Sequence, residues 1–190
     1  MRHVLILIIS VCVTGCAGVG LIETADPNVK LHQAYILMDE DRALMSEDLI
    51  RQAMDMYKNK ISTEGVAEAY FAYGNLYKHP TYHRHSAVFK RFGTYDGSYN
   101  KSIENYVKAM KQFEITGSEV GVIKSIVSIG EAYNLKNEDK KSCSYYAKAK
   151  TRYEAAKKSG AINKEPKILV NGANNIGQII TALMERESCT

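Results

Sequence analysis

The chain has 190 residues, 45% hydrophobic and 24% charged, with a formal net charge of +4 at pH 7. That balance fits a globular fold and excludes a disordered chain. The length points to one domain, and so small a charge does not by itself call for nucleic acid.

The N-terminal segment comes first in chain order. Arg2 and His3 precede an apolar run from Val4 to Val13, and Val13-Thr14-Gly15-Cys16 follows. The run is too short for a permanent span, which needs about 20 apolar residues. It resembles a bacterial lipoprotein signal peptide with its lipobox. The resemblance implies cleavage after residue 15, lipid on Cys16, and a flexible lipidated tether over 16–27. Ala17 stands where such proteins carry an aspartate when retained at the inner membrane. The resemblance therefore favours the periplasmic face of the outer membrane.

A helix is expected over Asn28–Met38, after Pro27, with Asp39-Glu40-Asp41 as a turn and Ala43–Asn59 as the partner helix. From there the chain repeats itself. Ser46, Ser102 and Ser142 each precede an alanine by seven residues: Ala53, Ala109 and Ala149. Tyr57, Phe113 and Tyr153 lie four residues after those alanines. Gly74 and Gly130 each lie 21 residues after their alanine, and Gly65 and Gly121 each lie nine before those glycines. Ser102 to Ser142 is 40 residues, whereas Ser46 to Ser102 is 56, which leaves an insert of 16.

This pattern resembles the tetratricopeptide repeat, a helix–turn–helix unit that buries its apolar face only when stacked. The closing proline of that family is missing, and its first-helix aromatic is weak here. The resemblance covers roughly 28–187. It implies an all-α, right-handed superhelix of about three helix pairs, with a capping helix over 168–187. Gly177 is matched to Gly130, which makes the loop before the cap about seven residues longer.

By the same resemblance the inner, concave surface is lined by Glu68, Phe71, Asn75 and Lys78 of the second unit. Lys124, Ser128 and Glu131 follow in the third, and Asn171, Asn174, Asn175 and Gln178 in the cap. The cap residues share a spacing that puts them on one stripe of a continuous helix. Their amides suit the backbone of an extended peptide, or form an ordinary solvated face.

The insert, near 78–96, is the second candidate. It interleaves Tyr82, Phe89 and Phe92 with Arg84, Lys90 and Arg91. Aromatic residues with arginine are interface chemistry, and the mixture also suits an anionic lipid headgroup. The alternative is a loop whose aromatics pack back on the stack. His79, His83 and His85 lack a nearby carboxylate or cysteine to complete a metal set, so no metal is expected.

Cys143 opens a second helix and Cys189 follows the cap. In an oxidising compartment they form a bridge or stay as free thiols. The sequence has no phosphate-cradling glycine motif, no Gly-x-Ser-x-Gly and no His-Glu-x-x-His. The expectation is a protein without catalysis or cofactor, holding another envelope protein for an assembly or secretion machine. An immunity lipoprotein that neutralises a secreted toxin is the alternative, and a binder of envelope lipid or glycan is the second.

Overall fold

The computed structural model describes residues 23–163 and 174–189. The lipobox with Cys16, the signal segment, most of the tether and Asn171 lie outside the described residues. Within them the chain is all-helical. Helix α1 (Pro27–Asp39) starts with proline in its first turn, and the Asp26 carboxylate accepts from the Asn28 amide. Proline there gives up only an N–H that has no partner in a helix. Then come α2 (Ala43–Asn59) and α3 (Thr63–Lys78), which is capped by the Ser62 hydroxyl. Two short helices, α4 (Pro80–Arg84) and α5 (Ser86–Arg91), form the insert. The series ends with α6 (Asn100–Thr116), α7 (Glu119–Leu135), α8 (Asp139–Ser159) and α9 (Ile176–Arg186).

Seven helices were expected, and nine occur among the described residues. The difference is the insert, which is helical rather than a loop. Pro80 opens α4 and His85 separates it from α5.

The long helices pack as successive antiparallel neighbours. Ser46 Oγ donates to the Ala34 carbonyl at 2.9 Å, joining the start of α2 to the later part of α1. Ser102 Oγ donates in the same way to the Gly74 carbonyl at 2.8 Å, joining α6 to α3. The recurring serine is therefore a buried rivet between paired helices. Ser142 is equally buried, but its hydroxyl has no partner.

The glycines mark where rings must come close. A Cβ at Gly74 would sit 2.5 Å from the Tyr106 ring, and one at Gly130 would sit 2.6 Å from Tyr146. Gly65 and Gly121 lie in the same way under Tyr57 and Phe113, at the other ends of α3 and α7. Gly177 meets Tyr153, the third member of that aromatic series. Gly177 is thus the counterpart of Gly65 and Gly121, and the match to Gly130 was one register off. The three glycines are 56 residues apart each time.

Helix α3 is the centre of the fold. Ala67 and Phe71 belong to a core shared with α6, α7, α8 and α9. Ala69, Ala72, Leu76 and Tyr77 belong to a second core shared with α1, α2 and the insert. A helix that is apolar on opposite faces is one that is buried on both.

The zigzag gives the stack two edges. The start of α1, the end of α2, the start of α3, the end of α6, the start of α7 and the end of α8 share one edge. We call it the tether edge, because the chain enters there: Tyr57 Oη, near the end of α2, donates to Asn28 Oδ1 at 2.6 Å. The opposite edge holds the other helix ends, the insert and the Cys143–Cys189 disulfide, whose Cα atoms are 5.3 Å apart.

Candidate functional site: a cleft at the edge away from the chain entry

A cleft of about 790 Å³ opens between the ends of α1, α3 and α7 and the insert. Its walls are aromatic and apolar: Tyr35 and Met38 of α1, Tyr99 just before α6, and Leu135 at the end of α7. Its polar groups are Asp39, Asn75, Lys78, His79, His83 and Arg84. Two candidates kept apart in the sequence, the inner face of α3 and the basic insert, thus contribute to one site.

Asn75 sits at a junction. Its amide nitrogen donates to Tyr35 Oη at 3.3 Å, and its carbonyl oxygen accepts from Tyr106 Oη at 2.6 Å. The bonds lock the Asn75 side chain between the two helix pairs. Lys78 reaches across to pair with Glu131 of α7 and lies 5.7 Å above the Tyr106 ring. Farther along the same face Lys124 pairs with Glu68 at 3.9 Å and lies 4.6 Å above Phe71. The expected inner-face charges of α3 and α7 are therefore engaged with each other. Phe71 and Ser128 are buried beneath them.

The insert forms the outer wall. Arg84 donates from Nε and Nη2 to one Asp41 oxygen, at 2.9 and 2.6 Å. Those bonds hold the Asp41 carboxyl well down, at about 2. His85 Nε2 lies 2.9 Å from the Asp41 carbonyl, so the insert is clamped onto the α1–α2 turn. His79 Nδ1 accepts from the Thr81 amide at 3.3 Å and caps α4. His83 Nδ1 lies 3.2 Å from Tyr95 Oη, its ring packs 4.7 Å from Tyr99, and its Nε2 is buried without a partner. Burial lowers the pKa of both His79 and His83; for His79 the neighbouring Asp39 opposes the shift. No group of three or more metal-ligating side chains comes together among the described residues.

The expected insert contacts divide sharply. Tyr82 and Phe89 are fully buried, with ring centroids 4.5 Å apart. Tyr82 Oη donates to the Thr94 carbonyl and accepts from the Asp96 amide, both at 2.8 Å. These two rings hold the insert onto the stack and present nothing outward. Phe92 is 65% exposed, and Arg91 and Lys90 are exposed beside it, with Lys90 5.2 Å above the Tyr95 ring.

The cap amides also have work within the fold. Helix α9 begins at Ile176, so Asn174 and Asn175 precede it and share no helical stripe with Gln178. Asn175 Oδ1 accepts from the Gln178 amide at 2.9 Å, and Gln178 Oε1 accepts from the Asn174 amide at 2.6 Å. This reciprocal arrangement satisfies amides that a helix start leaves open.

Sequence reasoning did not select Tyr35, Met38, Tyr99 or Leu135. Tyr35 carried a signal, because it lies 40 residues before Asn75, one repeat earlier. Tyr99 carried none. It adopts φ 61° and ψ 6°, a left-handed conformation that a large L-residue enters only at a cost. Its ring is held there against His83, at the wall of the cleft.

The cleft combines aromatic faces with cationic and amide side chains, of which Asn75, Lys78 and Arg84 are already paired within the fold. Among the described residues no helix is long and apolar enough to cross a membrane. No family model, curated protein or solved structure matches the chain.

Proposed function

We propose that this protein is a lipid-anchored, noncatalytic scaffold of the tetratricopeptide type. It sits at the periplasmic face of the outer membrane and holds a protein of an envelope assembly or secretion machine. The repeat reading is supported by buried serines at one fixed place, Ser46 and Ser102 bonded to the preceding helix, and by glycines under aromatic rings at two others. In such arrays the helix pairs coil as a right-handed superhelix whose first helices line a binding surface. The single observation that carries the binding role is the cleft itself. Ends of three first helices, α1, α3 and α7, converge on it with the insert, and Leu135 stands at its lip 45% exposed.

The anchor is tested by incorporation of labelled palmitate, expected to disappear in Cys16→Ser; unchanged labelling would remove the lipoprotein reading. The binding role is tested by mild crosslinking in native membranes followed by mass spectrometry. One stoichiometric partner is expected with the native chain, weakened at least about tenfold by Leu135→Glu with helicity intact. Recovery of a secreted toxin would turn the scaffold into an immunity protein. Full recovery of the partner by Leu135→Glu would exclude the cleft.

A further inference from the structure

The turn between α2 and α3 has an oddity that folding does not explain. Ile61 adopts φ 54°. Its counterpart 56 residues on is Gly117, with φ 72°, and the turn after α8 uses Gly160, with φ 75°. The turns share their hydrogen bonds: Ser62 N donates to the Tyr57 carbonyl, and Ser118 N to the Phe113 carbonyl, both at 2.9 Å. A left-handed position favours glycine, and a β-branched side chain there is strained. Ile61 takes on that strain and gains no burial for it, being 89% exposed. The turn's hydrogen bonds fix the backbone there, and residues strained in this way gather at functional sites.

A second isoleucine accompanies it. Ile115, in the last turn of α6, is 71% exposed. Helices α3 and α6 run antiparallel, since Ser102 near the start of α6 bonds Gly74 near the end of α3. The end of α6 therefore lies beside the start of α3, and Ile115 and Ile61 project from the same edge. That edge is also where the chain enters α1.

We propose that the tether edge rests on the lipid surface, with Ile61 and Ile115 inserted at the headgroup–acyl boundary. The inference builds on the lipid-anchored reading. Pro27 lies eleven positions after Cys16, and a chain of that length spans at most about 36–40 Å. Lipid on Cys16 therefore keeps the entry to α1, and with it this edge, within that reach of the bilayer. The exposed charges there have both signs (Lys58, Lys60, Lys111, Lys157 and Lys158 with Asp26, Glu64, Glu114 and Glu154), so they nearly offset one another. Apolar insertion makes the contact, and added salt leaves it in place. The 16 residues of α3 then set the cleft about 24 Å farther out, facing away from the membrane.

The sequence has no tryptophan, so single-tryptophan variants report cleanly. Ile61→Trp, Ile115→Trp and Leu135→Trp of the lipidated full chain are placed on vesicles of phosphatidylethanolamine and phosphatidylglycerol with brominated acyl chains. Strong quenching at 61 and 115, unchanged by salt, with none at 135, is the expected result. Vesicle flotation with no quenching at 61 and 115, or equal quenching at all three sites, overturns the docked edge while leaving the anchor standing. Failure to float overturns the anchor and the docked edge together.

Discussion

At the cleft edge, Arg84 and His85 of the insert clamp the Asp41 turn, and buried aromatic rings fill the space between. At the tether edge, Ile61 and Ile115 project from the helix ends into solvent. Both edges contain a residue in a left-handed conformation that glycine would fill more easily. Tyr99 uses it to pack against His83 at the cleft wall, whereas Ile61 lies exposed. The contrast teaches that one edge encloses a cleft, and exposes Phe92 and Leu135 as well, whereas the other leaves its two isoleucines uncovered.

The comparison can be broken most forcefully at the cleft edge. Tyr82→Ala removes the ring on which the insert is built, and should cost about 3–5 kcal/mol in urea unfolding. Partner capture should fall with it, while membrane anchoring holds. If stability and capture both survive, the insert does not organise the cleft.

The disulfide comes next. Its cysteines are 46 residues apart, and Cys143→Ser with Cys189→Ser should cost roughly 2–4 kcal/mol. The loss should appear as a lower thermal midpoint. An unchanged midpoint would mean that α9 is held by packing alone.

The serines allow a finer test. Ser102→Ala leaves the Gly74 carbonyl without its buried hydroxyl donor and should cost about 1 kcal/mol. Ser142 has no partner for its hydroxyl, so Ser142→Ala should be neutral or slightly stabilising. Equal losses at both positions would show that the shared position, rather than the hydrogen bond, matters.

At the tether edge the sign reverses. Ile61→Gly should raise stability by up to about 1 kcal/mol by relieving the left-handed strain. A loss of stability would mean that Ile61 supports the fold after all.

The smallest effect is pH dependence at the insert. Burial lowers the pKa of His79 and His83 in the folded protein, whereas the unfolded value is about 6.5. Below that value the unfolded chain takes up more protons. The stability they allow is complete above about pH 6.5 and declines as pH falls through the folded values. Asp41, held at about 2, loses its contribution only in stronger acid, below the ordinary carboxylate range. Amide protection factors, which remove the intrinsic pH dependence of exchange, should therefore fall in α4 and α5 from pH 7 to pH 5.5 while those in α7 and α8 change little.

The helical repeat could be read in the sequence because its parts are local. Ser-to-Ala and Ala-to-Gly spacings report which residues share one helix face, and Ala43–Asn59 is the span of α2 in the structure. The register of Gly177 carried a signal in its 56-residue spacing from Gly121, but only packing shows which ring lies above it. Tyr146 and Tyr153 are both tyrosines of one helix, and only packing chooses Tyr153. Tyr82, Phe89 and Phe92 are alike as letters, yet two are buried and one is exposed. Asn75, Lys78 and Arg84 of the cleft were readable as inner-face or insert residues. Tyr99 and Leu135 join them only through the way α3, α6 and α7 stack. The left-handed turn at Ile61 gave no signal, since no glycine marks it.

The most direct test of the two-edged account is site-specific photo-crosslinking in native membranes, with the same reactive side chain placed at Leu135 or at Ile61. The account predicts one discrete protein adduct from position 135 and lipid adducts from position 61. A protein adduct at 61, with none at 135, would contradict it.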